Sequence, residues 1–217
     1  MSAFSRKRGA RIYLLQATVL SFLALHPLLP TIAHASGPVE LPQTGQQTCW
    51  DAGGVEIVCS GTGQDGELQT GEAWPSPRFT VTDNGQAITD TLTGLMWTRN
   101  ANVMQMRDPA FDNDGPAGDG KVTWQRALSY VAKLNQEKYE GYEDWRLPNI
   151  RELRSLVNYS ESIPLSWLMS EGQGFTNVQA DSYWSSSSIT GDRSSFARVI
   201  HMLASDQQSI DKSLAGG

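Results

Sequence analysis

Pro148 divides the stretch DWRLPNIRELRSLV (Asp144–Val157) into two segments with different periods. Before it, Trp145 and Leu147 flank Arg146, the alternation of a half-buried strand. After it, Ile150, Leu153, Leu156 and Val157 recur at the spacing of a buried helix face. Proline has no N–H to give to a strand ladder and is tolerated only near the start of a helix, so the two segments cannot fuse into one element. Asn149 followed three positions later by Glu152 has the form of a capping box, which starts the helix at Ile150. The chain therefore passes directly from a strand-like run to a helix. On this reading Glu152 is a cap rather than a general acid, and Arg151 and Arg154 fall on the more exposed side of the helix.

The flanking segments supply the rest of the core. FTVTDNGQAITDTLTGLMWTR holds three β-prone runs, Phe79–Val81, Ala87–Thr89 and Leu95–Thr98. Asn84-Gly85 and Thr93-Gly94 separate them, and such dipeptides supply the positive φ of tight turns, so a β-meander is expected. TWQRALSYVAKLNQ reads as a helix capped by Thr123, with Trp124, Ala127, Leu128, Val131 and Leu134 near one face. Residues 158–180 read as an irregular connection anchored by Ile163, Leu165, Trp167, Leu168 and Phe175. Tyr183 and Trp184 in SYWSSSS suit a strand, and residues 194–203 suit another. Trp145 and Trp184 are expected in the core rather than in a binding site.

The N-terminus carries a different kind of signal. Arg6, Lys7, Arg8 and Arg11 precede a largely apolar run from Ile12 to Leu29, and Ala33-His34-Ala35 is a small-residue cleavage site. This is the layout of a secretory signal peptide over residues 1–35, interrupted too often by Gln16, Thr18, His26 and Pro27 to suit a membrane anchor. The product is expected to be exported, to the periplasm or cell surface, and not to span the membrane after cleavage. Cleavage leaves 13 basic and 23 acidic residues, and 13 − 23 gives a net charge of −10. A body this acidic has no overall attraction for nucleic acid. Residues 36–77, rich in Gly, Gln, Thr and Pro, read as an extended arm pinned by Trp50 and Trp74, ahead of a domain at 78–217. Cys49 and Cys59 are the only cysteines, and in an exported chain such a pair is expected to form a disulfide that closes a short loop. LPQTG (Leu41–Gly45) matches a sortase pentapeptide but lies at the wrong end of the chain, and reads as linker.

Few side chains here suit catalysis. His201 is the only histidine after the expected cleavage site, and no Gly-x-Ser-x-Gly elbow accompanies the serine run. Asp144 and Glu152 are available as a carboxylate pair, although nothing in their spacing ties them together. The polar loop at 107–121 gathers Asp112, Asn113, Asp114 and Asp119, oxygen donors of the kind Ca²⁺ takes. Their spacing fails the EF-hand pattern, and Asp, Asn and Gly are also ordinary turn residues, so both readings stand. No other cofactor is implied.

Four segments in fixed order, ITDTLTGLMWTR, TWQRALSYVAKLN, GYEDWRLPNIRELRSLV and FTNVQADSYWSSSS, resemble the bacterial family named for the C-terminal domain of Lcl, a collagen-like adhesin. TGQQTCWDAGGVEIVCSGTGQDGELQTGEAWPSPRF resembles the leader often joined to that domain. The likeness covers roughly residues 44–210 and extends to the sulfatase-modifying-factor and C-type-lectin-like folds. It implies an α+β, C-type-lectin-like domain, two helices packed on a twisted, loop-rich antiparallel sheet. The cysteines on which formylglycine-generating enzymes of that wider group depend have no counterpart after Cys59. The family's best-known member binds sulfated glycosaminoglycans in adhesion, which implies a non-enzymatic module that binds a glycan or a surface protein. Arg126, Arg146, Arg151 and Arg154 are the candidate ligand residues, against an overall charge that opposes polyanions. The family's usual closing strand has no obvious equivalent in the final LAGG; either it is absent, or a partner or a missing continuation supplies it, and an unpaired edge there would invite strand pairing, with a second copy among the candidates. The alternatives are a structural envelope protein and an enzyme acting on envelope polymers.

Overall fold

The computed structural model describes residues 5–7, 41–116 and 118–215. Most of the expected signal peptide, with its cleavage site at Ala35, lies outside the described residues. The strands are β1 Ser5–Lys7, β2 Cys49–Trp50, β3 Glu56–Ile57, β4 Phe79–Val81, β5 Ala87–Asp90, β6 Leu95–Thr98, β7 Ser182–Ser188, β8 Phe196–His201 and β9 Gln207–Asp211. The α-helices are α1 Asp65–Leu68, α2 Val103–Arg107, α3 Trp124–Gln136, α4 Ile150–Arg154 and α5 Pro164–Leu168. The architecture is α+β. In place of one twisted sheet there are three small antiparallel ones among the described residues, ordered β1-β6-β5-β4, β2-β3 and β7-β8-β9.

The period-two geometry of the strands explains how one domain holds two apolar clusters. On β6, Leu95 and Trp97 enter one cluster while Met96 enters the other. On β7 the neighbours Tyr183 and Trp184 divide in the same way, as do Ile200 and Val199 on β8. The first cluster is closed by Leu153, Leu156 and Val157 from α4 and the turn after it. The second is closed by Ala127, Tyr130, Val131 and Leu134 of α3, together with Trp145 and Leu147. Sheets covered on both faces need strands that are apolar throughout, which is why LMWT lacks a polar alternation.

Several local expectations hold, and others change for physical reasons. The meander forms, with Phe79 opposite Asp90 and Ile88 opposite Trp97. The capping box at Asn149 is complete: Glu152 N–H donates to Asn149 Oδ1 at 3.0 Å, and Asn149 N–H donates to the Glu152 carboxylate at 2.8 Å. The helix it opens is shorter than the apolar spacing suggested and ends at Arg154. The stretch around Trp145 alternates in burial but belongs to no named strand. Asn135 of α3 takes the place of a sheet neighbour, donating to Trp145 O at 2.8 Å and accepting from Trp145 N–H at 2.7 Å. The connection expected to be irregular contains α5, opened by Pro164 at its first turn. β9 was not anticipated, since its residues carry little apolar signal.

The N-terminal arm folds back on the domain. Cys49 and Cys59 form the disulfide, and in the chain-entropy model so short a loop stabilises by about 2–3 kcal/mol. Residues read as linker make specific contacts: Tyr159 N–H donates to Thr44 O at 3.1 Å and Ser160 Oγ to Gly45 O at 2.7 Å. Gly45 has φ +85°, and a Cβ there would stand 2.5 Å from Asn158 Oδ1 and 2.8 Å from the Trp74 ring. Only glycine permits this approach. No helix among the described residues is long and apolar enough to cross a membrane.

Candidate functional site

The arginines singled out from the sequence are largely spent on the fold. Arg126, on α3, donates from Nε and Nη2 to Phe111 O at 2.9 and 2.8 Å, with its guanidinium 4.1 Å from the Phe111 ring centroid. Arg146 forms a two-pronged ion pair with Glu152, both contacts at 2.7 Å, and this hydrogen bonding raises its pKa further. Arg154 Nε donates to the Tyr159 hydroxyl at 2.8 Å. Arg151 is exposed.

The acidic loop is likewise used locally. Asp114 accepts from Thr123 N–H at 2.9 Å and Thr123 Oγ1 at 2.6 Å, which steadies the residue that caps α3. Asp119 accepts from Lys121 N–H at 2.8 Å. Asp112 is fully buried; its Oδ2 accepts from Gly120 N–H at 2.8 Å, while Oδ1 has no partner. Asn113 is exposed. Among the described residues, no group of three or more His, Cys, Asp or Glu side chains is placed to hold a metal ion. The neighbouring cleft of about 480 Å³, lined by Arg107, Asp108, Phe111, Arg126 and Lys133, is a set of paired charges. Arg107 meets Glu137 at 2.7 Å and Lys133 meets Asp108 at 3.0 Å. Burial pushes the Asp108 carboxyl up, but hydrogen bonds from Tyr130 and Lys133 outweigh it and hold the group below its usual range. The Tyr130 hydroxyl is driven well up by burial and by that bond.

A third region is built differently. Where the arm meets the domain, a cleft of about 290 Å³ is lined by Trp74, Arg78, Asn158, Trp167 and Gln173, with Pro75 and Pro77 at its rim. Trp74 comes from the arm, Arg78 from the lead into β4, Asn158 from the turn after α4, and Trp167 from α5. The two indoles lie 5.5 Å apart between centroids and are tilted by 43°, so they form an open wedge. Trp74 is held by its own Nε1–H donating to Gln43 O at 2.8 Å, and Trp167 by an edge contact with Phe79 at 5.8 Å. Both remain partly exposed.

The cleft's cation is neutralised from beneath. Arg78 Nε and Nη2 meet the two Asp90 oxygens at 3.0 and 2.9 Å, and Nη2 also donates to Ser155 O at 2.7 Å, which satisfies the carbonyl just past the end of α4. Its guanidinium lies 4.4 Å from the Trp74 ring centroid and 6.0 Å from that of Trp167. Among the described residues, Nη1 has no hydrogen-bond partner. Above this base, Asn158, 9% exposed, accepts at Oδ1 from Ser160 N–H at 3.0 Å, and among the described residues neither its amide nitrogen nor the Gln173 side-chain amide has a hydrogen-bond partner. A larger groove of about 540 Å³ over β4–β6 is threonine-rich, but Thr82 and Thr91 spend their hydroxyls on backbone carbonyls. The arm–domain cleft thus combines exposed aromatic faces with free amide groups.

Trp74 and Trp167 entered the sequence reading only as anchors, and Arg78, Asn158 and Gln173 had no role there. The one local signal is a tryptophan followed by Pro-Ser-Pro-Arg; the partners lie 80 or more positions downstream. The sequence matches the family described as the Lcl C-terminal domain over residues 86–215. No curated protein and no solved structure matches the chain. Asn158, Trp167 and Gln173 lie inside the matched segment, whereas Trp74 and Arg78 lie before it.

Proposed function

This chain belongs to the Lcl C-terminal domain family, and from that premise we propose that it is an exported, non-catalytic module that binds a glycan at a cell surface. The observation that carries the reading is the arm–domain cleft, where two partly exposed indoles and two available amides face a small open volume. Binding sites combine this kind of apolar wall with a few polar groups that fix orientation. The disulfide supports an oxidising destination. Helices α3 and α4 on opposite sides of short antiparallel sheets support the C-type-lectin-like comparison. A catalytic role for Glu152 is disfavoured, because its carboxylate is held by the cap and by Arg146.

A second reading, contact with a surface protein, rests on the disulfide hairpin, where Val55 is 61% and Val58 82% exposed beside Trp50 and Ile57. The discriminating experiment is a glycan array probed with the full chain, expressed with its own leader, at low and physiological salt, with and without Ca²⁺. Saturable binding that is lost in Trp167→Ala is the expected result. Salt-sensitive binding to sulfated glycans that is lost in an Arg151→Ala/Arg154→Ala variant would move the site to α4. Calcium-dependent binding would move it to the 112–119 loop. Folded protein that binds no glycan at all would contradict the reading and leave the hairpin contact.

A further inference from the structure

We infer that the arm–domain cleft takes the ring of a neutral, hydroxyl-rich sugar at a chain end, stacked on the Trp74–Trp167 wedge. The inference rests on the glycan-binding role proposed above and specifies its ligand. Three features of the site carry it.

The first is shape. A volume of about 290 Å³ lies at the small end of ligand pockets and admits a ring-sized group rather than a long run of polymer. The two indoles pack on each other at a 43° tilt and Arg78 covers one face of Trp74, so the apolar surface offered to a ligand is the partly exposed remainder of the pair, which carries the partial negative charge of a ring face. A pyranose offers the complement, a face of weakly positive C–H groups ringed by hydroxyls.

The second is the hydrogen-bond inventory. Gln173 offers both a carbonyl and an NH₂ group, and Asn158 offers an amide nitrogen not used by the fold. Sugar hydroxyls donate and accept, so they satisfy amide groups in either sense. A purely apolar occupant would cover these amides without replacing their water, which is unfavourable.

The third is charge. Among the described residues Arg78 is the only ionisable one lining the cleft, and its charge is cancelled by Asp90; the side chains are 3% and 0% exposed. The one unpartnered nitrogen of Arg78, Nη1, is buried, so a sulfate or carboxylate on the ligand would meet no solvent-facing cation, and the expected mature charge of −10 would oppose it. A cationic ligand fares no better, because Arg78 already occupies the cation position 4.4 Å from the Trp74 ring centroid.

The test is saturation-transfer NMR on the full chain, expressed with its own leader. The probes are methyl glycosides of glucose, galactose, mannose and N-acetylglucosamine, with methyl glucuronide and a short heparin fragment as acidic counterparts. The expected result is transfer to the C–H protons of at least one neutral glycoside, unchanged between low and physiological salt. Trp167→Ala should weaken that binding by roughly tenfold or more, as loss of a buried aromatic anchor does. Because Trp167 also packs on Phe79, Gln173→Ala is the second variant. Among the described residues its side chain makes no hydrogen bond, and the substitution should weaken binding by about three- to tenfold. No transfer to any neutral glycoside, or transfer that survives both substitutions, overturns the inference. If only the glucuronide or heparin binds, and salt abolishes that binding, the neutral class fails while glycan binding stands. If no saccharide in either set binds, both fail.

Discussion

Arg146 at the foot of α4 and Gln173 at the rim of the cleft are both partly exposed polar side chains close to an α-helix. Arg146 is locked to Glu152 through two contacts of 2.7 Å, on a carboxylate that also closes the helix cap. Gln173 makes no side-chain hydrogen bond among the described residues. The same contrast separates the wider regions. Around α3 and α4, charged groups stitch loops to helices. Between arm and domain, one buried ion pair supports a surface whose amides and indoles remain available. Charge visible in a sequence is therefore a poor guide to a binding site; what matters is which groups the fold leaves unengaged.

The largest predicted effect tests the base of the cleft. Asp90→Ala would strand the Arg78 guanidinium, 3% exposed, without its partner. Removing one member of a buried pair costs about 3–5 kcal/mol, measurable by denaturant unfolding. A loss below about 1 kcal/mol would mean that Arg78 escapes to solvent and that the pair does not anchor the cleft.

Next comes Gly45→Ala, which would force a Cβ toward Asn158 and Trp74 at positive φ. A cost of about 1–3 kcal/mol is expected. It should appear as faster hydrogen exchange at Tyr159, whose N–H bonds to Thr44 O, with α3 unaffected. Equal exchange throughout would show that the arm is not separately docked.

Acid should distinguish the two regions in the opposite direction. Asp108, on the α3 side, and Asp181, which pairs with Lys121, both have carboxyls held below their unfolded value of 3.8. Burial alone would raise each, and hydrogen bonds outweigh it. Groups with lowered folded pKa contribute stability that is present above the unfolded value and lost as pH falls through the folded one. Unfolding midpoints should therefore be flat from about pH 8 to pH 5 with respect to these groups and fall below about pH 4. A loss already complete at pH 5 would contradict this.

The element pattern was largely legible in the sequence because its signals are local. Asn84-Gly85 and Thr93-Gly94 bracket β5, and Pro148 with Asn149 fixes the start of α4. The burial of Trp145 and Trp184, at 2% and 0%, follows from their place in apolar alternation. β9 escaped notice because Gln207–Asp211 is an edge strand with an exposed or half-exposed face at every position. The cleft escaped for a deeper reason. Its groups come from four separate segments, WPSPR and the stretches holding Asn158, Trp167 and Gln173, and the arm that supplies Trp74 has no periodic signal to show that it folds back. The arginines drew attention through their charge, while the contacts that consume it are tertiary or depend on the cap.

The smallest predicted effect belongs to that arginine face. The double variant Arg151→Ala/Arg154→Ala should change stability by no more than about 0.5 kcal/mol, since both residues are exposed and the contacts of Arg154 are with Tyr159, a hydrogen bond and a ring face at 5.9 Å. A thermal or denaturant melt checks this. Neutral-sugar binding should remain as in the unaltered chain; a clear loss would move the site away from the cleft.

The most direct measurement is an NMR titration of the labelled full chain with a neutral methyl glycoside, following tryptophan indole, side-chain amide and arginine Nε–H signals together. Movement of the Trp74 and Trp167 indole signals and the Gln173 amide, with Arg126 and Arg146 unmoved, is the predicted result. Movement at the arginines with a silent Trp74–Trp167 pair, or no movement of any of these signals across the neutral glycosides, would contradict it.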